Sequence, residues 1–386
     1  MTLRASWIRG LAASAAIAVL VAACGGSAAT PTPASQPPTT QAPASAAPAS
    51  QAPASAEASA APSAAAAAQT AGFGIPLNQA CNAECVAALQ LTQDPKSIKG
   101  KVGLSWSTTS FQYGANAVAN SKWFFEQNFP QITLYEVEGK NDAATQSGQI
   151  DDLVARGIDV LIVSPVDAAA IGPAVQRAIA AGVKVIASDR NVTGTTGLST
   201  YIGADNVSTG ISAAKLLEQI RGDKPTKVIE ISGSLGASPT IDRAKGFRDE
   251  IAANGPNIKI IDTQTGNYDQ TTALKVAEDL LQKYPKGTFD AFFVHGDQMA
   301  ISAIQAIKEA GRQDDVIVVG VDDSAQALAA IQAGTYAGAA SYPATFREHT
   351  VAAAKLLEGD TLPARIGMDS LIVTKDNAVK FLPGQQ

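Results

Sequence analysis

Histidine is nearly absent from this 386-residue chain, which carries two, and cysteine is scarce at three. So few histidines leave little for histidine-based catalysis or zinc chemistry. A formal charge of −6 offers phosphate backbones no electrostatic footprint, so no nucleic acid is expected as a partner. The motifs of nucleotide and ester chemistry are missing as well. No Gly-x-Gly-x-x-Gly follows a strand-like run, and Gly100-Lys101 and Gly139-Lys140 lack both the upstream glycine and the following Ser or Thr of a phosphate loop. No Gly-x-Ser-x-Gly elbow occurs. His295 has no sequence-local cysteine or second histidine to form a nucleophile–base pair, and His349 sits in a helix that could place it outward. Adjacent acids such as Asp322-Asp323 at a strand end more often cap the next helix than split a glycoside. The chain reads as a binding protein, not an enzyme, with no cofactor and no metal.

What is present begins with an export pattern. Residues 1–24 carry Arg4 and Arg9, no acid, an apolar run from Leu11 to Ala23, and Cys24 behind Val21-Ala22-Ala23. The run is too short and Ala-rich for a membrane span, which needs about 20 predominantly apolar residues. The small residues before the cysteine resemble the lipobox of bacterial lipoproteins, which implies cleavage before Cys24 and its lipidation as a membrane anchor. Residues 25–70 are Ala, Ser, Pro, Thr, Gln and Gly with Glu57 as the single charge, and such a segment predicts a disordered tether. Cys81 and Cys85, in a short helix expected over Asn78 to Leu89, form either a local disulfide or two free thiols.

From Lys101 onward, short β-rich runs alternate with amphipathic ones. Strands are expected at Val102 to Trp106, Ile132 to Val137, Val160 to Val163, Val183 to Ala187, Lys227 to Ile231, Ile258 to Thr263, Ala291 to Val294, Val316 to Val321 and Tyr336 to Ala340. Helices are expected between them, at Ala143 to Ala155, Ala168 to Ala181, Ser208 to Ile220, Arg243 to Ala253, Thr271 to Lys283, Met299 to Ala310 and Ala344 to Leu357. Near-continuous apolar strands joined by helices imply parallel sheets buried on both faces, in an α/β chain long enough for two lobes. Ligands of such sheets sit beyond the strand ends. There the chain places Phe111, Tyr113, Asp189-Arg190, Arg243, Tyr268, His295-Gly296-Asp297, Asp322-Asp323 and Tyr342. Trp106 and Trp123 are assigned to the core. Carboxylates accept from hydroxyls, arginine donates in a fork, and aromatic faces pack on the C–H face of a sugar. Asp189, Arg190, Arg243 and Asp322 sum to zero charge, which favours a neutral polar ligand.

The order of Gly157-Ile158-Asp159-Val160-Leu161-Ile162-Val163-Ser164-Pro165, Val185-Ile186-Ala187-Ser188-Asp189-Arg190, Asp205-Asn206, Arg243-Ala244-Lys245-Gly246-Phe247, Asp297-Gln298-Met299-Ala300 and Val318-Val319-Gly320-Val321-Asp322 resembles the type I periplasmic sugar-binding proteins, the ribose-binding group of ABC transporter receptors. The resemblance covers Val102 to about Lys375. It implies two doubly wound parallel-sheet lobes joined by a three-stranded hinge, the first from 101–204 plus 343–371 and the second from 205–342 plus 372–386, behind an extension over 71–100. It also implies a monomeric lipid-anchored receptor outside the cytoplasm that closes on a neutral sugar or polyol and hands it to an ABC permease. A sensory receptor, or one for a nucleoside or signal molecule, is the alternative.

By the same resemblance Asp189 and Arg190 match the family's sugar-binding pair, Arg243 its second arginine, Asp322 its ligand aspartate and Tyr268 its aromatic wall. Phe111 and Tyr113 lie in the first loop, where Ser110-Phe111-Gln112-Tyr113 stands in place of the ribose receptors' Asn-Pro-Phe-Phe. Gly296, with His295 beside it, replaces a binding Asn, and Tyr342 a binding Gln. A pocket that exchanges two amides for these residues meets a different pattern of hydroxyls.

Overall fold

The computed structural model describes residues 69–381. The export signal, Cys24 and the tether up to residue 68 lie outside the described residues. The tether's expected end is two residues late, since Leu77 N donates to Gln69 O and Thr70 pairs with Pro76.

In chain order the first half runs α1 (Ala83–Ala88), β1 (Gly100–Trp106), α2 (Gln112–Asn128), β2 (Ile132–Glu138), α3 (Ala143–Ala155), β3 (Val160–Ser164), α4 (Gly172–Ala180), β4 (Lys184–Ser188) and β5 (Thr200–Ala204). There follow α5 (Asn206–Arg221), β6 (Thr226–Ser232), α6 (Ser238–Ala253), β7 (Ile258–Thr265), α7 (Gln270–Lys283), β8 (Ala291–Val294), α8 (Asp297–Glu309), β9 (Ile317–Val321), α9 (Ala325–Ala333) and β10 (Gly338–Ala340). The chain closes with α10 (Phe346–Glu358), β11 (Arg365–Met368), β12 (Ile372–Val373) and a short 3-10 turn over Ala378–Phe381.

The strands form two six-stranded sheets, in the orders β11-β5-β4-β3-β1-β2 and β12-β10-β9-β8-β6-β7. The second repeats the first, each with its second strand outside the first and the next three on the other side. Pairing is parallel except between β10 and β12. Strand alternation divides each core in two. Val160 and Ile162 face a layer that includes Phe124 and Val351, while Leu161 and Val163 face one that includes Leu153 and Val175. Both faces are buried, which is why the strands read as unbroken apolar runs.

The chain passes between sheets three times, after β5, after β10 and after β11. The 69–99 segment is part of the first lobe's core: Leu77, Cys81, Cys85 and Leu89 are buried there. Cys81 and Cys85 form a disulfide. The expected helix begins late, at Ala83, because Asn82 caps it by accepting from Cys85 N at 3.1 Å.

Two helices, α2 and α9, were not expected. The loop assigned to Phe111 and Tyr113 ends at Phe111, and Tyr113 lies in the first turn of α2. Trp123 is a correction: it is 56% exposed, because the buried stripe of α2 runs through Ala117, Ser121, Phe124 and Phe125. Trp106 is core, at 1%. His349, in a helix that could have placed it outward, is fully buried, with Ser121 Oγ 2.7 Å from Nε2 and Ser188 Oγ 2.8 Å from Nδ1. Burial drives its pKa down to about 3, so it stays neutral.

Candidate functional site

The strand ends of the two sheets face one cleft of about 740 Å³. Its two aspartates are built alike. Asp189 follows β4 and Asp322 follows β9, each in the left-handed region, at φ 66° and 81°. Each amide is tied to the next strand, Asp189 N to Ile202 O and Asp322 N to Ala340 O, both at 2.9 Å. Tyr268 is also left-handed, at φ 55°. Such backbones cost about 1 kcal/mol or more each and persist where surrounding structure enforces them.

Arg243 is placed by an unusually close helix pair. A Cβ on Gly246 would lie 2.0 Å from Val207 O, and one on Gly210 would lie 2.2 Å from Arg243 O. Only glycine lets α5 and α6 approach this far. The guanidinium, 2% exposed as a residue, donates from Nε to Asn206 Oδ1 at 2.9 Å and from Nη1 to His295 O. Its Nη2 stands 3.9 Å from Asp322, and its plane lies 4.3 Å from the Tyr342 ring centre. Tyr268 occupies the space above Gly233, where a Cβ would strike its ring.

The first lobe answers with Asp189 and Arg190, whose charged groups are 3.9 Å apart, and with Phe111 and Tyr113. Tyr342, on the second passage between sheets, joins both sides. Its hydroxyl donates to Asp189 Oδ1 at 2.9 Å and accepts from Asn206 Nδ2 at 3.4 Å. Aromatic rings close the space, Phe111 against Tyr268 at 6.2 Å and Tyr113 against Tyr342 at 5.9 Å. The lobes also touch directly: Asn191 N donates to Ser238 Oγ at 2.8 Å, and Ala168 N to Gly236 O at 3.0 Å.

Two buried polar atoms of the cleft have no hydrogen-bond partner, Tyr113 Oη and Asp322 Oδ1. Burial pushes the Asp322 carboxyl up to about 8, with Arg243 opposing and Asp297 and Asp323 reinforcing. Burial and Asp189 hold the Tyr113 and Tyr342 hydroxyls protonated, so both remain donors. Among the described residues no group of three or more His, Cys, Asp and Glu is placed to hold a metal ion. No described helix is long and apolar enough to cross a membrane.

Residues 102–358 match the family model described as periplasmic binding protein domain. The chain belongs to the periplasmic binding protein family. Among curated relatives, the ribose import binding protein of Bacillus subtilis is 37% identical over 196 residues, 51% of this chain and 61% of that protein. The ribose import binding protein of Escherichia coli is 32% identical over 63% of this chain and 80% of its own length. Among solved structures, the Caulobacter myo-inositol binding protein bound to myo-inositol superposes with a TM-score of 0.68, at 26% identity, over 72% of this chain and 95% of that one.

In this periplasmic binding protein the cleft gathers Phe111, Tyr113, Asp189, Arg190, Arg243, Tyr268, Gly296, Asp322 and Tyr342. His295 is the exception and is a correction. It lies on the same strand face as Phe293, 4.8 Å from that ring, and so points between the sheet and α6, with no exposed surface. There Nε2 meets Glu230 at 2.9 Å, and Arg248 bonds the same carboxylate. Gly296, one residue on, takes the cleft side. Asp297 lies in the first turn of α8, whose N-cap position is Gly296. It accepts from Ser324 N at 3.0 Å and lines the cleft, while Ser324, not Asp322 or Asp323, caps α9. Sequence reasoning missed Asn206 as the support of Arg243, and missed Asn78 to Ala80, which reach the cleft's hinge end. A helix-start Asn one turn before the glycine contact of α5 with α6 carries no pattern of its own.

Proposed function

We propose that this chain is the extracytoplasmic solute-binding component of an ABC importer, which holds a neutral monosaccharide or related polyol between its lobes and delivers it to the permease. The observation that carries the reading is the pairing of Asp189 and Arg190 from one sheet with Arg243 and Asp322 from the other around one aromatic-walled cleft. Both arginines are already held by carbonyls and carboxylates of the chain, Arg190 by Pro165 O at 3.3 Å and Arg243 by His295 O. Carboxylates accept from ligand hydroxyls, guanidinium N–H groups donate to them, and Phe111 and Tyr268 cover the C–H faces. The relatives named for ribose and the structure holding myo-inositol support a neutral polyhydroxylated ring.

The work of the protein is closure: groups from both lobes bond one ligand, so ligand stabilises the lobe-to-lobe contacts that the permease recognises. Cys24 anchors the mature protein by lipid to the outer face of the membrane, residues 25–68 tether it, and it acts as a monomer. The test is a thermal melt of the purified protein, refolded from denaturant, against pentoses, hexoses, polyols, inositols and nucleosides. A ligand at 1,000 times its Kd adds about 4 kcal/mol, a readily visible shift. No shift with any of them would refute the reading.

A further inference from the structure

The cavity continues beyond the ring of charges. It runs on along the second and third passages between the sheets, where its walls are Gln79, Gln112, Asn116, Leu328, Leu371 and Phe381. One monosaccharide displaces on the order of 200 Å³, about seven waters. The cleft of about 740 Å³ has room for more than one such ring, within the range of roughly 300–1,000 Å³ typical of ligand sites.

The two compartments differ in chemistry. The inner part carries Asp189, Arg190, Arg243, Asp322 and the paired tyrosines, whereas the outer part presents Leu371, 57% exposed, and Phe381 beside Asp369, Asn377 and Lys380. Its wall on the first-lobe side is fixed. Asn78 N donates to Glu348 at 2.6 Å and Asn78 Nδ2 to Ala344 O at 3.1 Å, while Ala80 O accepts from Asp369 N at 2.9 Å. The Cys81–Cys85 disulfide follows directly, and Gln112 Nε2 braces Asn116 Oδ1 at 2.7 Å. A pre-formed wall that sets the apolar surfaces of Leu371 and Phe381 among amides, continuous with a polar ring site, favours a ligand whose sugar ring carries a further group able to pack on them.

We propose that the outer compartment is a second subsite, which takes the apolar or aromatic aglycone of a glycoside whose sugar ring lies among Asp189, Arg190, Arg243 and Asp322. This rests on the sugar-binding reading. The full chain is titrated calorimetrically with pentoses and hexoses and with the phenyl glycosides of both their anomers. For a sugar that binds, one phenyl glycoside is expected to bind at least about tenfold more tightly than the free sugar. Leu371→Asn, at an exposed position, is expected to remove that gain and leave the free sugar's affinity within about twofold. Phenyl glycosides that all bind no better than their parent sugars overturn the subsite alone, as does a gain that survives Leu371→Asn. Absence of binding by free sugars and glycosides alike overturns the sugar reading with it.

Discussion

Asp322→Asn should stabilise the protein while destroying the site. The Asp322 carboxyl is partly buried at a strand end, its side chain 22% exposed, and desolvation pushes it up to about 8, so near neutrality the folded chain keeps a proton that an unfolded chain releases. Between about pH 4 and pH 8 the folded state therefore binds more protons, and this group's stabilisation, complete below pH 4, is lost as the pH rises to 8. At pH 7, about three pH units above an ordinary aspartate, the cost approaches 4 kcal/mol. Movement of Arg243, 3.9 Å away, relieves part of it, and half that figure, about 2 kcal/mol or roughly 4 °C in Tm, is the expected gain at pH 7. Asparagine is the right probe because it tolerates the φ of 81° at this position as aspartate does. Melts of both proteins from pH 4 to 9 give a difference that is near zero at pH 4, grows with pH and levels above 8. A constant difference, or a variant less stable than the parent at pH 8, would refute the reasoning. In parallel, ligand affinity should fall by at least about 100-fold, a trade of function for stability.

Arg243→Ala should abolish ligand binding, a loss of about 3 kcal/mol or more by calorimetry, with the circular dichroism spectrum unchanged. Gly246→Ala should cost about 2–4 kcal/mol in denaturant melts and weaken binding too, because the new methyl group must push α5 away from α6 and move Arg243. Burial works to raise the Glu230 carboxyl, but bonds from His295 and Arg248 outweigh it and hold it to about 2, so its contribution is present above about pH 4.5 and is lost as the pH falls toward 2. Glu230→Gln should thus destabilise by about 3 kcal/mol at pH 7, a deficit that closes in acid, as urea melts at both pH values will register. Replacing Cys81 and Cys85 by serine should cost about 2 kcal/mol, since the loop it closes is short, and scanning calorimetry would detect the lower Tm.

The alternation of strand and helix is legible in sequence because β3 and its neighbours are buried on both faces and so are apolar throughout. The helix α2 is not, because its buried stripe begins with Gly114 and Ala117 and includes Ser121, small and polar residues that hide the period. The helix α9 is mostly alanine, which has no face to read. The strand β5 contains Gly203, and β11 and β12 are short edge strands whose partners are chosen by tertiary contact. In the site, Asp189 and Asp322 announce themselves by following apolar strands. His295 misleads because it occupies the same kind of position: only the alternation through Phe293, and the unsignalled acid Glu230 buried opposite, turn its ring away from the cleft.

The late arrival of β11 in the first sheet reverses the usual order of maturation on the ribosome. Domains generally fold in the order they are synthesised. Here the first lobe lacks an edge strand and the covering helix α10 until residues 346–368 have emerged, whereas the second lobe has all but its two-residue edge strand once β10 is complete. During synthesis the later lobe is thus the first able to finish. Its partner waits, with an open sheet edge along β5 and the face of β3 and β4 uncovered, for the same short stretch of chain that closes the hinge.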